Sequence, residues 1–244
     1  MSSKSRTPGD PALGLRLANE GDLPGMVRVE AFRQLFASGS PVNANKLASA
    51  VGCPPARLVI TLDELDRAGR IRRDETGRLV GSAGLSVIPD RHRIELNRRT
   101  FWTWCAYDIL GIFGADKATG SAFSRSPATG ATLQVHFHDG RPKVDRVVLF
   151  RPSDSAAACC TNLYEEWCPN SSFFEDKRSA ESWSTSRKLE GRIMGLQEAS
   201  VLATGEWMPL FAGSGFQSPG DASIARARRT EIASGGRTQG ENYG

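Results

Sequence analysis

Residues 100–113, TFWTWCAYDILGIF, set a thiol and a carboxylate three positions apart inside an otherwise apolar run. Phe101, Trp104, Cys105, Asp108, Ile109 and Ile112 recur at helical spacing, and Trp102, Ala106 and Phe113 cover much of the rest. The run therefore predicts a helix buried on most faces, with Thr100 as its N-cap. On such a helix Cys105 and Asp108 share a face. A carboxyl desolvated by Trp and Ile holds its proton more strongly than one in water. A protonated Asp108 beside Cys105 is a proton donor next to a soft nucleophile or metal ligand. The plainer alternative has Asp108 capping the helix or pairing with an arginine, and Cys105 filling core.

Four further cysteines complete the thiol inventory. Cys53 lies in the turn VGCPP and reads as structural. Cys159 and Cys160 are vicinal, and Cys168 follows eight residues after Cys160. Structural zinc prefers C-x2-C pairs, and adjacent side chains of an extended chain point apart, so this spacing argues against zinc. No C-x-x-C follows a strand, which argues against a thioredoxin-like redox pair. What remains is one thiolate from each segment, Cys105 with a member of the vicinal pair, and Asp108 as proton donor. Two thiolates suit a very soft metal better than oxygen or nitrogen ligands do. His136 and His138 also share one strand face, but no third ligand lies close in sequence, and an exposed polar face accounts for them.

The elements that must position these groups fall into two parts. MVRVEAFRQLFASG, NANKLASAVG and PPARLVITLDELDRAG read as three short helices, and RIRRD, ETG and RLVG as a hairpin. Three helices and a hairpin make a winged-helix-like module over 23–83, and its first reading is DNA binding. The third helix, however, carries Asp63, Glu64 and Asp66 against Arg57 and Arg67, an acidic excess that repels phosphate. Arg70, Arg72 and Arg73 in the wing keep a DNA-binding, thiol-based metal or redox sensor as the alternative function. Over 84–212 the pattern becomes mixed α/β with antiparallel strands: short extended runs in LSVIPDRHRIEL, a hairpin in ATLQVHFHDGRPKVDRVVLFRP turning at HDGRP, a strand RIMGL and a closing helix from about Gln197. The fold class expected is α+β. Residues 1–22 read as a flexible leader and 213–244 as a disordered tail.

Composition narrows the class. With 39% hydrophobic and 24% charged residues in 244, the chain suits a soluble globular protein of one or two domains. A net charge of +4 is too small for a nucleic-acid polycation. No apolar run is long enough to span a bilayer, and the first twenty residues lack a signal-peptide core. A cytoplasmic location with reduced cysteines is expected, and five cysteines, an odd number, argue against a simple disulfide framework.

RRTFWTWCAYDIL, then SPATGA, then CC followed by AESW and LEG, resembles the alkylmercury (organomercurial) lyase family over about Val42 to Leu210. The W-C-A-x-D stretch with a later vicinal pair is the more specific part. The resemblance implies a helical N-terminal module, a mixed α/β catalytic domain, and cleavage of carbon–mercury bonds without an organic cofactor. By motif it assigns catalysis to Cys105, Asp108 and Cys159, the first of the pair, which would also hold substrate and product mercury; Cys160 is not usually assigned catalysis. The implied partners are an organomercurial substrate, low-molecular-weight thiols needed for product release and a mercuric reductase, with no membrane and no specific nucleic acid. Two departures stand out. Ser126 occupies a place where many members carry a structural cysteine, and Cys168 has no counterpart in this reading. Two routes for the proton stay open: Asp108 is protonated at rest, or it relays the proton of an incoming thiol.

Overall fold

The three N-terminal helices form where the start and stop signals put them. Helix α1 (Leu23–Ser38) closes at Gly39 and α2 (Ala44–Val51) at Gly52, both left-handed; α2 is capped by Asn43, and α3 (Pro55–Arg67) opens on prolines. Strands β1 (Ile71–Arg73) and β2 (Leu79–Ser82) follow as the expected hairpin. In this computed structural model the described residues are 22–143 and 146–212. Apart from Asp22, the expected leader lies outside them, as does the tail over 213–244.

The hairpin does not stand free as a wing. Strand β2 pairs with β3 (Leu85–Ser86), and β3 with β5 (Arg99–Thr103). The sheet continues through β4 (His92–Leu96), β6 (Gly120–Arg125), β7 (Thr132–His138) and β8 (Arg141–Pro142), in the order β1-β2-β3-β5-β4-β6-β7-β8 with every pair antiparallel. Val27, Phe32 and Phe36 of α1 belong to the same buried cluster as Ile109 and Phe113 in the second half. Arg73 pairs with Asp63 and Asp66 of α3, and Arg72 with Asp90, so both of these wing arginines are engaged within the protein.

Two expectations are corrected. Residues 99–103 form strand β5, not the first turn of a helix. Phe101 and Thr103 are buried while Thr100 is exposed, a period of two that aromatic and β-branched residues favour. The helix, α4 (Ala106–Asp116), is capped by Cys105 and not by Thr100. The second correction concerns the hairpin at HDGRP. It turns at Asp139 and Gly140, but β8 pairs over only two residues. Strand β9 (Val148–Pro152) instead forms the centre of a second sheet, between β10 (Ser172–Phe174) and β11 (Gly191–Gly195).

Between β9 and β10 lie α5 (Asp154–Cys159), α6 (Leu163–Glu166) and a 3-10 turn at Cys168–Asn170; α7 (Lys177–Ser186) covers the small sheet. The closing helix α8 (Leu196–Phe211) lies along α4. Gly111 permits that approach, because a Cβ there would stand 2.3 Å from Cδ2 of Trp207. Among the described residues no helix is long and apolar enough to cross a membrane.

Candidate active site

The first turn of α4 builds half of the site. Cys105 sits in extended conformation as N-cap, and its Sγ accepts the N–H of Asp108 at 3.4 Å. Oδ2 of Asp108 accepts the N–H of Cys105 at 2.8 Å, completing a capping box. The box places a thiol at the positive end of a helix, a field that opposes the effect of burial on its proton. Gly84, at φ +84, lies against the carboxyl: a Cβ there would be 2.2 Å from Cγ of Asp108. The indole of Trp207 donates to the carbonyl of Ala83 at 3.2 Å and the N–H of Trp104 to that of Gly84 at 3.0 Å, so α8 and the β5–α4 link hold the loop in place.

The segment 160–171 builds the other half. The N–H of Leu163 donates to the carbonyl of Ala68 and Nδ2 of Asn162 to that of Arg67, which fixes the start of α6 to the end of α3. The ring of Tyr164 contacts the guanidiniums of Arg72 and Arg91, at 4.2 and 4.1 Å, and packs edge-on against Trp104. Its hydroxyl donates to Asp90 at 3.1 Å. At the far end, the carbonyl of Ser171 accepts the N–H of Ala106 at 3.0 Å, directly beside Cys105. Between these anchors stands Cys168. Its Sγ, that of Cys105 and a carboxylate oxygen of Asp108 all lie within 4.8 Å of one another, and all three residues are buried.

The fold thus brings Cys105 and Asp108 together as expected but does not bring Cys159 to them. Cys159 is exposed at the end of α5, and Cys160 is half-buried with its thiol donating to the carbonyl of Ala156 at 3.2 Å. Cys168 occupies the place assigned to Cys159. A weak signal was present in the sequence: Cys168 directly follows Trp167, whereas the residues flanking the vicinal pair are Ala158 and Thr161. His136 and His138 lie on the exposed face of β7, and Nδ1 of His136 meets Oγ of Ser121 at 2.9 Å. Cys53 is half-buried in the α2–α3 turn. Ser126 is buried and donates to Glu175 at 2.8 Å, so a hydrogen bond ties down the loop at that position.

Burial raises the Asp108 carboxyl to about 7, against the lowering effect of its hydrogen bonds to the Cys105 side chain and backbone; the charge of Asp90 adds to the rise and that of Arg91 opposes it. Burial also pushes the Cys105 thiol well up, helped by the hydrogen bond with Cys168 and the charge of Asp108; the N–H of Asp108 pulls the other way. The unliganded site thus favours a neutral Cys105 thiol beside a carboxyl that both gains and loses a proton near neutrality. A pocket lined by Gly84, Trp104, Asp108, Arg151, Trp167 and Cys168 reaches this cluster, with Cys105 behind its wall. Two thiols and one carboxyl make a site for a soft metal, with a proton carrier in reach.

The model of the alkylmercury lyase family matches residues 85–208, just over half of the chain. This chain belongs to the alkylmercury lyase family. It is 26% identical over 174 residues to the alkylmercury lyase of Staphylococcus epidermidis, covering 69% of this chain and 76% of that protein. To the alkylmercury lyase of Pseudomonas putida it is 29% identical over 167 residues, covering 64% and 72%. The mercury-bound form of MerB2 superposes with a TM-score of 0.68 at 24% identity, over 82% of this chain and 95% of that one, a likeness of fold. As a member of the family, the chain is a lyase.

Proposed function

We propose that this lyase cleaves the carbon–mercury bond of organomercurials by protonolysis, giving a hydrocarbon and Hg(II), with Cys105 and Cys168 holding mercury and Asp108 carrying the proton. The observation that carries the reading is the buried cluster of two thiols and a carboxyl within 4.8 Å. The pocket presents Cys168 and Asp108. Cys168 therefore meets the organomercurial first and displaces its outer ligand, which leaves with the thiol proton. Cys105 adds next, and its proton passes to the carboxylate of Asp108. Two thiolates on mercury raise the electron density at carbon. Asp108 then protonates the carbon, the carbon–mercury electron pair becomes the new C–H bond, and Hg(II) stays on the two sulfurs. RHg⁺ and two thiols yield RH, thiolate-bound Hg(II) and one proton. A carboxyl with a pKa of about 7 suits both halves of this transfer.

The scheme needs no organic cofactor; external thiols, and then a mercuric reductase, take the product, as fits a protein of the cytoplasm. The sensor alternative draws no support from Arg72 and Arg73, whose charges are paired within the protein. The test is incubation of the purified full chain with phenylmercuric acetate and excess thiol, with benzene measured in the headspace. Multiple turnovers are expected; a folded protein that releases no benzene would refute the proposal.

A further inference from the structure

We propose that Cys159 and Cys160 form a second, surface site for Hg(II), which receives the metal from the buried cluster and passes it to a thiol in solution. This inference rests on the function proposed above, because it concerns the product of that reaction. Hg(II) held by Cys105 and Cys168 is out of easy reach: Cys105 is fully buried and Cys168 is 2% exposed. An external thiol must enter the pocket beside Trp104 and Trp167 to take it. The vicinal thiols sit in a different place. They line an open cleft together with Glu166 and Trp167. Trp167 also lines the pocket holding Cys168, so one indole borders both spaces. Exposure rises along the series, from buried Cys168 to half-buried Cys160 to exposed Cys159.

Charge links the two sites as well. Cys160 and Cys168 are near enough for the charge of one to act on the other, and Arg70 lies within electrostatic reach of both. Burial and the charge of Glu166 push the Cys160 thiol up while Arg70 opposes them, so the metal displaces the thiol's proton as it binds. The transfer is ligand exchange at a soft metal, without oxidation or reduction. A bond from Hg(II) to the Cys160 sulfur forms, the bond to the Cys168 sulfur breaks, and the proton of the incoming thiol passes to the departing thiolate. A second exchange moves the metal outward to Cys159 or to a solvent thiol.

The experiment loads the full chain with inorganic HgCl2 and so does not depend on carbon–mercury cleavage. On a Cys53→Ser background, the parent is compared with the Cys159→Ser/Cys160→Ser double variant. Native mass spectrometry should find more Hg(II) bound per chain in the parent than in the double variant. Stopped-flow transfer of the first equivalent to glutathione should be at least several-fold slower in the double variant, while single-turnover benzene release from phenylmercuric acetate stays the same. Equal mercury stoichiometry and equal transfer rates would overturn the proposal. So would loss of benzene release in a folded double variant, which would place the pair in the cleavage machinery. If neither protein releases benzene, the function proposed above fails while the mercury measurements still decide this one.

Discussion

The N–H of Cys105 donates to Oδ2 of Asp108 at 2.8 Å while the N–H of Asp108 donates back to Sγ of Cys105 at 3.4 Å, so the capping box of α4 and the candidate catalytic pair are the same two residues. A helix start commonly built from Ser or Thr with Glu is built here from a thiol and a carboxyl. Local folding alone fixes their separation, and the remaining structure has only to deliver the second thiol.

Asp108→Asn keeps an oxygen to accept the Cys105 N–H and so preserves the cap. It can neither take nor give the proton. Mercury binding should persist while hydrocarbon release slows by a factor on the order of 10²–10⁴, the range for a lost general acid. Binding stoichiometry and single-turnover release, measured on one preparation, check this. A folded Asn variant with unchanged release would remove Asp108 from the chemistry.

The same substitution changes stability in a pH-dependent way. The Asp108 carboxyl is raised from 3.8 to about 7, so the folded state holds its proton more tightly than the unfolded state. Its contribution is fully present below the unfolded value and is lost as pH rises toward 7, where a buried carboxyl must ionise. The melting temperature of Asp108→Asn relative to wild type should therefore climb from about pH 4 to about pH 7 and level off above. His92, buried and lowered from 6.5 to about 3, acts in the opposite sense. It stabilises the fold above its unfolded value, and that contribution is lost as pH falls. With the Asp108 slope removed, the Asn variant should lose stability more steeply than wild type below pH 6. A difference between the two proteins that stays constant with pH would contradict the assigned shift.

Gly84→Ala and Gly77→Ala form a matched pair. Both positions have positive φ, +84 and +78, so both substitutions carry backbone strain of about 1–3 kcal/mol. Only at Gly84 does the new Cβ meet the Asp108 carboxyl; at Gly77 nothing lies within 4 Å. Gly84→Ala should be the less stable by a further 1–3 kcal/mol or so, and should slow turnover in the folded fraction, whereas Gly77→Ala should turn over normally. Denaturant titration and activity per folded molecule separate the two effects. Equal turnover would mean that the Gly84 contact does not position the carboxyl.

Much of this was legible in the sequence. Capping residues, prolines and glycines punctuate the first three helices, and that chemistry acts locally, as does the Cys105–Asp108 spacing. The start of α4 was not legible, because TFWTW satisfies a helical period and a strand period at once. What decides for the strand is pairing with β3 and β4, which is not local. The placement of Cys168 beside Cys105 was not legible for a related reason. Proximity to Cys105 is set by the anchors of segment 160–171 to Arg67, Ala68, Arg72 and Asp90, which lie from 74 to 95 residues away in sequence.

Those anchors give the N-terminal helices and hairpin a role in the site. Tyr164→Phe keeps the ring against Arg72 and Arg91 and loses only the bond to Asp90, at a cost of about 1 kcal/mol. Tyr164→Ala removes the ring. It should speed amide exchange over 163–171 and lower activity, with little change in exchange across β6 and β7. Exchange in 163–171 that matches wild type in the Ala variant would show that Tyr164 does not hold Cys168 in place.

In the proposed reaction Cys168, and not Cys159, is the partner of Cys105. Single-turnover release of benzene from phenylmercuric acetate by Cys168→Ser and Cys159→Ser, each verified as folded, tests it most directly. Cys168→Ser is expected to release almost no benzene, because mercury keeps only one thiolate while carbon awaits its proton, and Cys159→Ser to release it at the wild-type rate. An active Cys168→Ser beside an inactive Cys159→Ser would contradict it.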